Sequence, residues 1–485
     1  MDHVTGLARE QITLFPEAVE DYLAGENPVR FLDAFVDSLE MRSLGFQHAT
    51  VHERGRPPYD PKDLLKLYLY GYLNRIRSSR LLERETTRNL EVFWLLKRLS
   101  PDHKTISDFR KNNATGLQAV FKQFVLTCKE LELFGNELVA IDSTKFTASN
   151  ARDRVKDKEQ LEKSIARINK SIKDYLTQLD ENDHADENKG SSAALNKEAL
   201  QKKIALLHQQ KEHLTEACME LEKNGDKYVS LTDPDCRLMK NERRIEGAYA
   251  LQAAVDAKHK LIVNYELTQD AADNNHLSSM ALAARQMLGV DTLTVCADAG
   301  YYDTVDLKSC EDSGINTYVP VPEPKISKKT NVPVPDYYHD KFVYDQTSDT
   351  YRCPQGNQLQ YYSTTHKQDG RLIRIYRTSA CRDCPVRTLC STSPRGRYVY
   401  RWEHEAVLDR LKQRLAQGTD IIKHRKAIIE HVFGTIKKIW GYGALLLRRL
   451  SNVAGEIALT NLAYNIKRVL NILGTRKLIL HLQTP

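Results

Sequence analysis

The sequence contains no run of about 18 apolar residues, the length a membrane-spanning helix needs, so no spanning segment is expected. The stretch from Met1 to Glu20 lacks the apolar core of an export signal. Nine cysteines are present. The odd count, and the placing of several in helix-like or strand-like stretches, argue against a secreted disulfide scaffold and for a reducing cytoplasm. Neither sign of charge dominates: 71 Lys and Arg against 64 Asp and Glu leave +7. That mild basic balance is compatible with nucleic acid as a partner without being specific for it. What is present is a chain of 485 residues, 41% hydrophobic and 28% charged, enough for a packed core and for more than one domain.

The N-terminal region reads as helices. Asp60-Pro61 opens one, because Asp caps and Pro suits the first helical position; Leu64, Leu65, Tyr68, Leu69 and Tyr72 form its apolar stripe. Ser79 precedes a second helical stretch carrying Leu82, Leu90 and Leu95, Ser100-Pro101 ends it, and a third helix is predicted from near Thr105. Three short helices with tight connections fit a helix-turn-helix unit or a small structural bundle. A strand follows over 138–143. Leu161, Ile165, Ile168, Ile172, Tyr175 and Leu179 then recur at alternating steps of four and three, as do Leu200, Ile204, Leu207, Lys211, Leu214, Cys218 and Leu221. Two such seams joined by the polar residues 180–192 predict an antiparallel coiled-coil hairpin, either a dimerisation or DNA-bracing arm or a spacer that buries its own seam. Residues 249–256 and 261–267 read as paired strands, 277–288 as a helix, 293–297 as a buried strand ending at Asp298, and 315–321 as a further strand. Strands that cluster first and then alternate with helices predict a mixed α/β sheet. Residues 322–397, rich in Pro, Tyr and charge, break the pattern, and helices resume over 421–439 and 453–473.

Three acids stand out. Asp142 closes the apolar run Leu138-Val139-Ala140-Ile141, Asp298 ends a second apolar strand, and Glu430 lies in the helix Ile428-Ile429-Glu430-His431-Val432. One acid in such a place is ordinarily a cap or turn residue. Three among apolar neighbours, where an unpaired carboxylate is costly to bury, invite a shared partner. A pair of Mg²⁺ or Mn²⁺ ions suits them, since both prefer oxygen ligands and leave room for water and phosphate. Two such ions about 3.5–4 Å apart serve an in-line displacement at a phosphodiester. Lys426 and Lys437 share a helix face with Glu430 and are placed to hold phosphate oxygens; without the two aspartates this stripe would read as an ordinary surface salt-bridge pattern.

In this order the motifs resemble the DDE transposases of bacterial insertion sequences, in the group with a Y-x2-R-x3-E-x6-K signature around the third acid. The resemblance rests on Val139 to Thr144, on Ala297-Asp298-Ala299-Gly300-Tyr301-Tyr302, and on Arg425 to Lys437. Gly55 to Asp60 and Asp102 to Arg110 are similar to that family's leader domain, and Leu450-Ser451-Asn452-Val453 with Asn461 to Asn465 to its end. The signature Tyr position holds Lys423 and the signature Arg position Lys426, with Arg425 one step away; Lys meets phosphate as a point charge rather than a planar fork.

The resemblance implies an RNase H-like mixed-sheet core of the α/β class. A helical N-terminal DNA-binding and dimerisation domain spans 1–135. The core occupies 136–150, 230–322 and 403–440, the coiled-coil hairpin is inserted over 151–229 and a cysteine-rich knuckle over 323–402, and a helical segment, 441–485, ends the chain. It also implies an enzyme that binds terminal inverted repeats, hydrolyses phosphodiesters at the element ends and transfers the 3′-OH ends to target DNA. Asp142, Asp298 and Glu430 would hold the two Mg²⁺ or Mn²⁺ ions, and Lys437 with Arg425 or Lys426 would position end phosphates. Lys104, Arg110 and Lys111 would contact DNA, two copies would pair the ends, and the setting would be the bacterial nucleoid. The rival readings are a DNA-binding relic without catalysis and an RNase H-like nuclease of other specificity.

Cys353 and the later Cys381-x2-Cys384-x5-Cys390 form a separate constellation. Four thiolates can close a structural Zn²⁺ site. The spacing also resembles the iron–sulfur staple of some DNA exonucleases; a third reading is four unliganded thiols.

Overall fold

The computed structural model describes residues 18–50, 57–150, 154–185, 192–225, 227–241, 244–322 and 332–483. The chain divides into two compact units, one made of residues 1–273, 283–290 and 427–485, the other of 274–282 and 291–426.

The first unit opens with six helices: α1 (Pro28–Asp37), α2 (Pro61–Leu73), α3 (Ser79–Arg88), α4 (Leu90–Leu95), α5 (His103–Asn112) and α6 (Ala114–Glu130). Asp60 caps α2 by accepting from the Lys62 amide at 2.8 Å. Asp102 does the same for α5, accepting from the amides of Lys104 and Thr105 at 2.9 Å each. The third predicted helix therefore begins at His103, set by its cap. The single stretch expected through Leu82 and Leu95 is two helices. Asn89 adopts an extended conformation and its side chain caps α4, accepting from the amides of Glu91 and Val92, so a local polar side chain outcompetes helix continuation.

Strand β1 (Leu138–Thr147) is followed by the short β2 (Val155–Lys156), the long helices α7 (Lys158–Ala185) and α8 (Ser192–Asn224), and β3 (Val229–Ser230). Helices α7 and α8 pack on each other, and Leu161, Leu214, Ala217, Leu221 and Val229 form a buried cluster at their base. The polar connection expected at 180–192 is narrower than that, because α7 runs on to Ala185; its middle lies outside the described residues. Next come β4 (Arg237–Asn241), β5 (Arg244–Asp256) and β6 (Ile262–Thr268). Strand β5 is the hub: β1 lies antiparallel along one edge, with Asp142 opposite Ala253. β4 and then β6 follow each other antiparallel along the other edge.

Helix α9 (Leu277–Leu288) crosses from one unit to the other. In the second unit, β7 (Leu293–Cys296) and β8 (Ile315–Tyr318) pair in parallel and are joined by α10 (Thr304–Asp312). Residues 332–402, which the sequence reading left without strands, hold a five-stranded antiparallel sheet. Its strands are β9 (Val343–Asp345), β10 (Thr350–Arg352), β11 (Gln358–His366), β12 (Leu372–Arg377) and β13 (Val399–Trp402), with the short α11 (Arg387–Cys390) before the last. The alternation is hidden because both faces of β11 are largely wet, Leu359 being its one buried side chain among nine residues. α12 (Glu405–Gln417) and α13 (Thr419–Phe433) follow, the latter crossing back to the first unit.

There the chain closes with a π-helical segment, Gly434–Ile439, then α14 (Leu450–Leu473) and α15 (Thr475–Gln483). α14 is the central helix of this unit, buried along most of its length against α6 and α2. Two of its buried polar side chains are matched to backbone. Glu456, fully buried, accepts from the amides of Leu446 and Leu447 at 3.0 and 2.9 Å and from Arg77 at 3.2 Å. Asn465 caps the edge of β6, accepting from Ile262 N at 2.9 Å and donating to Ile262 O at 2.8 Å. The end motif at 461–465 thus contributes to a helix that backs the sheet. No described helix is long and apolar enough to cross a membrane.

Candidate active site

In β1 the residues Val139, Ala140 and Ile141 are fully buried and Asp142 is half-buried. The strand thus carries its acid out of the core where its first run of buried residues ends. The Asp142 carboxylate accepts from the Ser143 amide at 2.8 Å. Glu430 stands exposed on α13, one position after the buried pair Ile428 and Ile429. Asp142, Glu430 and Lys437 line one cavity of about 520 Å³, together with Ser143, Thr144, Lys145, Lys240 and Asn241. Acids from a strand and a much later helix therefore share one open cavity within a single unit.

Lys437 lies in the π-helical segment, a form that widens a helix and often marks functional positions. Its ammonium donates to Lys145 O at 2.9 Å and to Thr144 Oγ1 and Asn241 Oδ1 at 3.3 Å each. Asn241 is oriented in turn by donating to Thr147 Oγ1 at 3.2 Å and Glu246 Oε1 at 2.8 Å. Lys145 donates to Asp273 Oδ1 at 3.2 Å, and the fully buried Gln252 donates to the same oxygen at 3.1 Å. The sequence reading missed Lys145, Asn241, Asp273 and Gln252. Gln252 offered a signal, a polar side chain inside an otherwise apolar strand; Asn241 and Asp273 offered none, because their partners lie on other elements brought near only by the fold.

Asp298 belongs to the second unit. It sits half-buried just past the carboxyl end of β7, where it accepts from the Gly300 amide at 2.8 Å and caps the 3₁₀ turn Ala299–Tyr301. The carboxyl ends of parallel strands are where open α/β sheets bind ligands. Nearby in the chain, burial pushes the Tyr302 hydroxyl up to about 12, with Glu405 and Asp409 adding to the shift.

Of the remaining predicted contacts, Lys423, Arg425 and Lys426 lie on α13 ahead of Glu430, with Lys423 ion-paired to Asp420 at 3.4 Å. Lys104 and Lys111 are exposed on α5. Arg110 corrects the expectation: it is 4% exposed, its guanidinium donates to Tyr72 Oη and Arg77 O at 3.2 Å each, and it lies over the Tyr68 ring. The helix turns that side chain into the core, where it cannot meet DNA.

Among the described residues, no group of three or more His, Cys, Asp or Glu side chains is drawn up as a formed cation site. Cys353, Cys381, Cys384 and Cys390 nonetheless line one small cavity of about 30 Å³, and all four are free thiols. Cys353 opens a tight turn, its carbonyl accepting from the Gly356 amide at 2.8 Å. Cys390 ends α11, and burial, opposed by the nearby Arg397 charge, holds its thiol above the usual range. Gly396 has a φ of +81°, and a Cβ there would stand 2.5 Å from Cys381 Cβ, so only glycine permits this approach.

Comparison with known families joins these observations. Residues 17–112 match the model described as "Transposase domain (DUF772)", and residues 231–466 match "Transposase DDE domain". The second match contains Asp298, Glu430 and Lys437 and begins after Asp142. The chain belongs to the DDE transposases of insertion elements, a class of enzymes that cleave nucleic acid. A solved structure, a piggyBac transposase synaptic complex with hairpin DNA, aligns at 8% identity and a TM-score of 0.32, covering 94% of this chain and 79% of that one. Among curated proteins no significant match is found.

Proposed function

We propose that this transposase binds the terminal inverted repeats of its element, hydrolyses a phosphodiester at each end and joins the freed 3′-OH to target DNA. The observation that carries the proposal is that Asp142 and Glu430, from β1 and α13, open on one cavity beside an anchored lysine. Asp298, at the carboxyl end of β7, is the remaining acid of the three. Half-buried or exposed carboxylates supply the hard oxygen donors that Mg²⁺ or Mn²⁺ takes, and this donor set fits such a pair. When bound, the ions would supply an activated nucleophile and stabilise the leaving oxygen. The chain's own residues would do the rest. Lys437 presents a fixed positive charge at the cavity wall, Arg425 or Lys426 gathers phosphate from α13, and Lys104 and Lys111 meet DNA from α5. Pairing two element ends calls for at least two copies, acting at the bacterial nucleoid.

The test is single-turnover nicking of end-bearing duplex in Mg²⁺. Asp142→Asn, Asp298→Asn and Glu430→Gln should each lose on the order of 10³-fold or more in rate while still binding the duplex. An Asp142→Asn enzyme that nicks at the normal rate overturns the assignment. Duplex binding with no cleavage in Mg²⁺ or Mn²⁺ favours the relic, and cleavage of RNA–DNA hybrids alone favours another nuclease.

The cysteine-lined cavity is part of the same reading. Each cysteine reaches a new rotamer through one torsion, so Cys353, Cys381, Cys384 and Cys390 can close on a structural Zn²⁺ or carry an iron–sulfur cluster. The small cavity favours the single ion. Elemental analysis of purified protein should give one zinc per chain; iron in its place selects the cluster, and neither metal leaves four plain thiols.

A further inference from the structure

Between residues 371 and 402 the chain holds eight arginines, no lysine and one carboxylate, Asp383, so this short stretch alone accounts for a surplus equal to the +7 of the whole protein. Several of the eight are spent inside the fold. Arg371 pairs with Asp369 and Arg374 with Asp349, both at 2.6 Å, Arg401 pairs with Asp409 at 2.9 Å, and Arg387 donates to Pro394 O at 2.7 Å. Arg397 lies over the Phe342 ring. Three are left at the surface. Arg377, Arg382 and Arg395 are exposed and wall a single cavity of about 330 Å³, and among the described residues no carboxylate stands within ion-pairing distance of any of them.

We propose that this cavity is a binding site for the phosphates of the DNA backbone; the proposal rests on the reading of the chain as a DNA-transferring enzyme. Like charges gathered without a counter-charge repel, and the cost is recovered when an anion arrives. Guanidinium groups match phosphate with paired donors. Arg377 and the loop that carries Arg395 are held in place. The Arg377 guanidinium stacks on the Tyr362 ring, 3.5 Å from its centroid, and Tyr362 meets Tyr398, which lines the cavity, edge to face. Arg395 precedes Gly396, whose close approach to Cys381 fixes that loop against the cysteine-lined cavity. Tyr362 is half exposed, and an exposed aromatic face beside basic groups suits nucleic acid better than an acidic peptide.

The experiment uses the full chain, a labelled DNA duplex and Ca²⁺ in place of Mg²⁺, with affinity measured across a salt series. R377Q/R382Q/R395Q should bind about tenfold or more weakly, and the slope of log affinity against log salt should shrink by about 2–3. The loss should be equal on end-bearing and unrelated sequences. The matching Arg→Lys triple should keep the slope, which separates charge from misfolding. A control that removes Lys308, Lys341 and Lys412 from the same unit should leave the slope near its starting value. An unchanged slope in the glutamine variant, a loss no larger than the control's, or an effect confined to RNA or an acidic peptide overturns the proposal. Normal cleavage with an unchanged slope sinks this inference alone; absent cleavage with a reduced slope sinks only the catalytic reading.

Discussion

Lys437 donates to the backbone carbonyl of Lys145 at 2.9 Å across 292 positions of chain. One ammonium thereby ties the π-helical turn to the strand that carries Asp142, and fixes a positive charge in the wall of the cavity that Asp142 and Glu430 share.

Replacing Lys437 by Met should cost about 1 kcal/mol of stability through the lost hydrogen bonds and about 10²-fold in single-turnover cleavage, with a smaller effect on duplex affinity. Urea melts and quenched-gel rates read the two effects. A variant with normal cleavage would reduce Lys437 to a structural strut.

Arg110 and its neighbours on α5 should behave oppositely. Arg110→Met removes a buried donor to Tyr72 and Arg77 and is expected to cost about 1–3 kcal/mol. Lys104→Ala with Lys111→Ala should leave the melting temperature unchanged and weaken duplex binding. Thermal melts beside a binding titration separate the two classes.

Asp349 anchors the five-stranded sheet. It accepts from Tyr344 Oη and Tyr376 Oη at 2.7 Å and from Arg374 at 2.6 Å. Burial pushes its carboxyl up, but those hydroxyls and the guanidinium outweigh it and hold the group below the usual carboxylate range. A depressed acid contributes stability above its unfolded value of about 3.9 and loses it as pH falls through the folded value. Asp349→Asn should cost about 1–2 kcal/mol at neutral pH, allowing for partial exposure. The gap between the two proteins should close below about pH 4, as chemical melts at several pH values would show.

Gly396→Ala should strain both the left-handed backbone and the contact with Cys381. We expect a loss of about 1–3 kcal/mol and altered thiol reactivity at Cys381, read by calorimetry and by the labelling rate of that cysteine. An unshifted melt with unchanged labelling would show that the loop relaxes freely.

Many of the local elements and the identity of the three acids are legible in the chain alone. Asp60-Pro61, the apolar run before Asp142 and the stripe of α14 announce themselves, because capping and burial periodicity are properties of neighbouring residues. The chain also sets the order of the motifs, and with it the family. Which side chains meet is settled by the packing of the folded chain. That Arg110 turns inward, that Asn241 and Gln252 brace the cavity, and that three exposed arginines wall one cavity with no carboxylate beside them depend on strand register and on packing between residues distant in the chain. A strand whose two faces are both wet, such as β11, leaves no alternation to read. Its place was fixed by hydrogen bonds to its neighbours, which no single stretch of sequence contains.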